Sequence, residues 1–256
     1  MPDRRDHIGS PCRLDLASSA VEQVVDFYTG LFGWTAAADP DNDQHVQLSL
    51  HGRRVAGITP HLEGEMYSDV WIPSLSSADA AATVTRIAEL GGQILQAPTA
   101  VGDQGTAALI ADSAGAAVGV WQAGTFTGFE LVDEPGAPVW HECMSRDFAR
   151  SKVFYSGVFG WHWELLDDSE RFRYAQAVKD EQMIAGLMDA SRMLPYGVPS
   201  FWQSYIGVDD TDQALAKVTD LGGDILRGPD DSPFGRLAAI ADPAGASIQI
   251  ASVTDN

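Results

Sequence analysis

The side chains of this sequence that could do chemistry are few and widely spaced. Two carboxylates, Asp15 and Glu142, stand in short apolar stretches, Cys12 to Leu16 and Trp140 to Cys143. A carboxylate in such a place serves as a general acid or base when burial raises its pKa. It serves equally as a structural acceptor for a backbone or tryptophan N–H. Arg13 lies two residues from Asp15 on the same face of an extended strand, so the two can pair. Cys12 and Cys143 cannot build a disulfide framework and lack metal-ligand spacing. Cys143 reads as a small buried hydrophobe. His61 and Glu63 are metal-ligand types, but they sit in a polar loop with no partner at suitable spacing. His141 and His162 read as packing or surface histidines, and His162 and Trp163 face opposite sides of a strand. No Gly-rich phosphate loop precedes a helix, so no nucleotide cofactor is indicated.

Composition bounds the partners. The 256 residues carry 16 Lys+Arg against 36 Asp+Glu, a formal net charge of -20. Nucleic acids and anionic membranes repel such a surface, because binding them relies on Lys and Arg neutralising phosphates. No run of 18 apolar residues is present to span a bilayer, and Met1 to Ser10 lacks the apolar core of a signal peptide. The expectation is a cytoplasmic protein with a small-molecule partner, with no nucleic acid and no membrane.

The elements that must position these residues repeat. Phe27-Tyr-Thr-Gly-Leu-Phe-Gly-Trp34 returns as Phe154-Tyr-Ser-Gly-Val-Phe-Gly-Trp161, an offset of 127. Leu90-Gly-Gly-Gln-Ile-Leu95 returns as Leu221-Gly-Gly-Asp-Ile-Leu226, an offset of 131, and Ala111-Asp-Ser-Ala-Gly-Ala116 as Ala241-Asp-Pro-Ala-Gly-Ala246, an offset of 130. The chain is therefore a tandem duplication, with halves at 8–124 and 135–253 and a linker at 125–134. Asp15 and Glu142 occupy matching places in the two halves. Each half divides again. The strand Cys12 to Leu16 leads to a helix carrying Val21, Val24, Val25, Phe27 and Tyr28 near helical spacing, closed by Gly30 and Gly33. Strands Val46 to Leu50 and Val55 to Thr59 follow. Then the order recurs with strand Val70 to Leu75, helix Ala78 to Leu90 and strands to Trp121. The second half repeats it, with helices near Ala149 to Gly157 and Thr211 to Leu221. The fold class is α+β: four βαβββ modules in two tandem halves, forming curved or barrel-like mixed sheets around cavities.

The strand before Asp147, the Phe154-Tyr155 helix and the Phe-Gly-Trp turn resemble the first module of the vicinal oxygen chelate superfamily. Val208-Asp-Asp210, Leu221-Gly-Gly223 and Asp242-Pro-Ala-Gly245 resemble its second module. That superfamily includes glyoxalases, extradiol dioxygenases and bleomycin-resistance proteins. The tandem layout is similar to an actinobacterial subgroup whose members are often labelled hydroxylases or resistance proteins. The resemblance implies a divalent metal held by His and Glu on inward-facing strands. Carried over by spacing, those positions fall on Trp140, Gln203 and Gln249 in the second half, and on Arg13, Ile72 and Gly119 in the first. The fourth ligand belongs within Val55 to Pro60 or Met183 to Met188, and neither run contains His, Asp or Glu. Arg repels a dication, Trp and Ile offer no lone pair, and Gln is a weak neutral ligand. No metal and no other cofactor is expected.

Strand alternation from the implied positions places Arg13, Asp15, Ser74 and Trp121 inward in the first half. In the second half it places Trp140, Glu142, Gln203, Tyr205 and Gln249 inward. This aromatic and amide-rich lining suits a flat oxygenated ring system, with Arg13, Trp121, Trp140, Gln203, Tyr205 and Gln249 binding it. Asp15 and Glu142 are the candidate catalytic residues. The leading expectation is metal-independent binding of an aromatic, polyketide-like molecule for resistance or natural-product metabolism. The alternative is a cofactor-independent biosynthetic hydroxylase, cyclase or rearranging enzyme on such a molecule. A metal-dependent lyase or dioxygenase stands third. Trp34 and Trp161 are expected to anchor the core. Whether consecutive modules or modules of opposite halves pair is open, and the chain is a monomer or a homodimer.

Overall fold

In the computed structural model, residues 8–39, 42–61, 69–169 and 172–253 are described, the side chains of 42–44 apart. Glu63 lies outside the described residues. The first module runs β1 (Pro11–Ser18), α1 (Val21–Phe32), β2 (Thr35–Asp39), β3 (Asn42–Leu50) and β4 (Arg53–Pro60). The second runs β5 (Val70–Ser77), α2 (Ala80–Glu89), β6 (Gln93–Val101), β7 (Gly105–Ala111) and β8 (Ala117–Ala123). The third comprises β9 (Pro138–Ser145), α3 (Phe148–Phe159), β10 (His162–Asp168), β11 (Arg173–Lys179) and β12 (Gln182–Asp189). The fourth comprises β13 (Phe201–Val208), α4 (Thr211–Asp220), β14 (Asp224–Ser232), β15 (Gly235–Ala241) and β16 (Ser247–Ser252). The four βαβββ modules of the sequence are all present. No helix among the described residues is long and apolar enough to cross a membrane.

Each half forms one open eight-stranded mixed sheet, in the orders β2-β3-β4-β1-β5-β8-β7-β6 and β10-β11-β12-β9-β13-β16-β15-β14. Within a module the last strand lies parallel to the first, as β4 does to β1 and β12 to β9. The sheets are open rather than closed barrels. Alternation sorts the faces: on β1, Cys12, Leu14 and Leu16 are fully buried, whereas Arg13, Asp15 and Ala17 are half-buried. The helices obey their own period, α1 burying Val24, Phe27, Tyr28 and Leu31 as one stripe. Asp79, Asp147 and Asp210 cap α2, α3 and α4, each accepting from the backbone N–H three residues on. The Asp79 cap starts α2 at Ala80, two residues later than periodicity alone suggests.

The apolar cores combine modules of opposite halves. One compact unit comprises Met1–Arg13, Ile72–Gly128 and His141–Gln203, and the other Leu14–Trp71, Phe129–Trp140 and Ser204–Asn256. In the second unit, α1 residues Phe27 and Tyr28 share a core with Leu215 and Val218 of α4. In the first, Val84 and Ile87 of α2 share one with Phe154 and Tyr155 of α3.

The repeated blocks are the parts of these joints. Tyr28 donates its hydroxyl proton to Asp242 at 2.9 Å and accepts from Trp71 Nε1 at 2.7 Å. Tyr155 does the same with Asp112 at 2.9 Å and Trp202 at 2.8 Å. Asp112 also accepts from the backbone N–H groups of Ala114 and Ala116, and Asp242 from those of Ala244 and Ala246. Burial raises both carboxyls, and it raises both phenols well above their usual range, which keeps each tyrosine protonated as the donor. Gly33 and Gly160 end α1 and α3 at φ +71°. Gly30, expected to help close the helix, lies inside α1. A Cβ on it would stand 2.9 Å from Leu221 Cδ2, and one on Gly157 would stand 2.7 Å from Leu90 Cδ1. Trp34 and Trp161 are core anchors, donating to the carbonyls of Gly136 at 2.6 Å and Gly9 at 3.2 Å. Cys143 is buried in the core of the first unit, where burial raises its thiol well above the usual range. The Tyr155→Phe variant removes the hydroxyl donor from one buried Asp112 oxygen and should lower unfolding stability by about 1–3 kcal/mol in urea titrations; Tyr28→Phe should cost a similar amount.

Candidate functional site

The two predicted carboxylates each belong to a side-chain cluster, and the clusters occupy equivalent places in the repeat. Glu142 on β9 is only 5% exposed. Its Oε2 accepts from the Tyr174 hydroxyl of β11 at 2.7 Å, and its Oε1 from the Gln203 amide of β13 at 2.5 Å. Gly186 of β12 lies in register with Glu142. A Cβ on Gly186 would overlap the Tyr174 hydroxyl and stand 2.8 Å from the Glu142 Cβ. The glycine is therefore the opening through which ring and carboxylate meet. Phe172 stacks on Tyr174, with ring centres 5.9 Å apart and planes 6° apart, and its own ring is exposed.

The first half repeats this plan with different groups. Asp15 of β1 lies in register with Gly57 of β4. Its Oδ1 is 3.3 Å from Nε2 of His45 on β3, and His45 Nδ1 is 3.1 Å from Oδ2 of Asp39 on β2. A Cβ on Gly57 would overlap His45 Nε2 and stand 2.6 Å from Asp15 Oδ1. Exposure grades along the line: the Asp39 side chain is 2% exposed, that of His45 10% and that of Asp15 23%. One carboxylate is sealed, the ring bridges, and the other carboxylate meets the open side. The imidazolium form donates to both carboxylates, whereas either neutral tautomer donates to one.

The remaining predicted residues fall in several places. Arg13 lies with its guanidinium carbon 4.7 Å from the centre of the Trp121 ring, within cation–π range. Trp121 is 1% exposed and donates to the Phe126 carbonyl at 3.0 Å, so it backs Arg13 rather than presenting a free face. Tyr205 and Gln249 are buried register partners on β13 and β16. Trp140 and Gln203 are half-buried, and Gln203 is brought directly onto Glu142. Trp163 turns to the helix side, donating to the Lys152 carbonyl and to Ser156 Oγ, while His162 is exposed. His141 is buried.

Sequence reasoning missed His45, Asp39, Tyr174 and Phe172. Alternation carries the signal for the two ring partners. Leu48 and Leu50 of β3 are buried in the core, so the odd positions, His45 included, face the other way. Ala175 and Ala177 of β11 are buried likewise, which turns Tyr174 away from the core.

The donor set does not suit a divalent metal. The positions implied by the resemblance hold Trp140, Gln203 and Gln249, or Arg13, Ile72 and Gly119. Gln203 is turned onto Glu142, and Gly119 packs against Ser74, whose Oγ a Cβ would overlap. Both His45 nitrogens already face carboxylate oxygens. Among the described residues, no group of three His, Cys, Asp or Glu is arranged to hold a metal ion.

Comparison with known proteins agrees with this architecture. Residues 4–120 and 139–250 match the Glyoxalase/Bleomycin resistance protein/Dioxygenase superfamily. The chain is 32% identical to the provisionally named glyoxylase CFP32 of Mycobacterium tuberculosis, over 98% of this chain and 97% of that one. It is 29% identical to the anthracycline biosynthesis protein DauV of Streptomyces sp. strain C5, over 96% and 94%. Among solved structures, the Mn(II)-bound glyoxalase of Novosphingobium aromaticivorans superposes with a TM-score of 0.66 at 13% identity. That superposition covers 97% of this chain and 83% of the other, and shares the fold. Replacing Gly186→Ala should force Tyr174 off Glu142 and lower stability by about 1–3 kcal/mol, as thermal unfolding would measure.

Proposed function

Because the chain belongs to the glyoxalase/bleomycin resistance protein/dioxygenase superfamily, we propose that it uses this fold without a catalytic metal. On this reading it holds an aromatic, polyketide-like small molecule for resistance or natural-product metabolism. The observation that carries the reading is the residue chemistry at the positions where the resemblance would put metal ligands: Trp140, Gln203 and Gln249 in the second half, and Arg13, Ile72 and Gly119 in the first. Flat oxygenated rings stack on tryptophan, and amides hydrogen-bond their carbonyl and hydroxyl groups. The Phe172–Tyr174 stack offers a further exposed ring beside Glu142. Gln203 and Arg13, the latter backed by Trp121, are proposed binding residues of the first unit, and Trp140, Tyr205 and Gln249 are those of the second. DauV, named for anthracycline biosynthesis, is consistent with a ligand of this class, since anthracyclines are built on fused aromatic rings.

A second reading, a cofactor-independent enzyme acting on such a molecule, is favoured by one observation. Asp15 is the more open carboxylate and is backed by a histidine. Glu142, with both oxygens occupied, reads first as an acceptor that shapes the site.

The test is a titration with 1,8-dihydroxyanthraquinone, followed by quenching of tryptophan fluorescence, before and after treatment with EDTA. Binding should survive chelation, and Trp140→Ala should weaken it by about 1–3 kcal/mol. Binding that disappears with EDTA and returns with Mn(II) would overturn the metal-free reading.

A further inference from the structure

The two equivalent clusters differ in a way that separates their chemistry. In the second half, the carboxylate is nearly sealed and both of its oxygens accept hydrogen bonds. In the first half, the sealed carboxylate is Asp39, at the far end of the line, and Asp15 is the most exposed of the three. His45 stands between them with one ring nitrogen toward each. Gly57 leaves the space that lets ring and carboxylate meet. A buried acid that fixes a ring, and a ring that holds an open carboxylate, together fix the position of a proton acceptor.

We infer that the first half carries a metal-free proton-transfer site, in which Asp15 is the base and His45 and Asp39 are its positioning residues. Its substrate is a planar aromatic carbon acid. A carboxylate is a mild base, so it suits an acid whose conjugate base spreads its charge over an aromatic or carbonyl system. This rests on the reading above that flat aromatic molecules enter the protein. In the step itself, the substrate C–H bond breaks and its proton passes to an Asp15 oxygen. The bonding pair stays with the substrate, and water later takes the proton from Asp15. No oxidant or reductant is needed.

The experiment uses the whole chain and 5-nitrobenzisoxazole, a flat bicyclic carbon acid. Loss of its C–H proton forms a nitrile while the N–O bond opens, releasing a coloured phenolate. The wild-type protein should show saturable turnover above buffer. Asp15→Asn should lower kcat about 100-fold or more. His45→Gln and Asp39→Asn should lower kcat while leaving KM and thermal unfolding close to wild type, a split that a merely structural role would not produce. His162→Gln, an exposed ring on β10, should leave the rate unchanged. Anthraquinone binding is measured on the same samples. A protein that binds anthraquinone yet shows no turnover above buffer, or keeps wild-type kcat in Asp15→Asn, overturns the proton-transfer site and leaves the binding reading intact. Turnover that depends on Asp15 without anthraquinone binding sustains the site and overturns the binding reading. Failure of both measurements overturns both.

Discussion

The structure depends on a buried phenol–carboxylate hydrogen bond made once in each unit, Tyr28 to Asp242 and Tyr155 to Asp112. Each joins a helix from one half to the loop before the last strand of the other. A tryptophan from a strand, Trp71 or Trp202, closes on the phenol oxygen, so the hydroxyl both donates and accepts. Burial holds the phenol protonated and strengthens its bond to the acid. Around each bridge, a leucine of the Leu-Gly-Gly block fits where a glycine in the partner helix leaves no side chain, as Leu221 does at Gly30. The Phe-Gly-Trp tryptophan reaches across to a glycine carbonyl of the other half. The three blocks that reveal the duplication are therefore pieces of one joint, repeated twice.

That explains what could be read in the sequence and what could not. The repeat, the four modules and the family resemblance were legible because the joint imposes residue types at fixed spacing: an aromatic pair, a glycine for close approach and an aspartate that caps its own turn. The same blocks are silent about chemistry, since their side chains are spent on the core. Asp15 and Glu142 stand out as candidates by their matching places and strand parity. Their partners were harder to see. His45 and Tyr174 are different residue types at equivalent positions, so a search for repeated residues passes over them. The glycines that admit them, Gly57 and Gly186, do match, but a glycine in a strand does not reveal what fills its space. Trp121 is buried, with Arg13 over its ring and its indole N–H given to the Phe126 carbonyl, contacts that strand parity does not announce.

The duplication also shows how one scaffold supports two local chemistries. The strand, the register and the glycine are shared, and the ring on the third strand of the module differs. A phenol next to Glu142 supplies a single donor, and with Gln203 it saturates the carboxylate. An imidazole next to Asp15 has a second nitrogen, which needs its own partner and finds it in Asp39. One substitution in the ring thus brings a third residue into the line. The fold tolerates the exchange because the joint lies on the opposite face of the same strands.

The crossing of the two halves gives the covalent connection between them a thermodynamic role. Each half contains one tyrosine and one aspartate of the bridging type, but each tyrosine bonds to the aspartate of the other half. Either half alone has the complementary groups and no partner for them, as a free subunit would. The covalent connection turns an encounter between two chains into an intramolecular event at high effective concentration. Stability then does not fall on dilution, as it does for a dimer assembled from separate subunits. Once joined, the two copies are also free to diverge independently, which a homodimer encoded by a single gene cannot do.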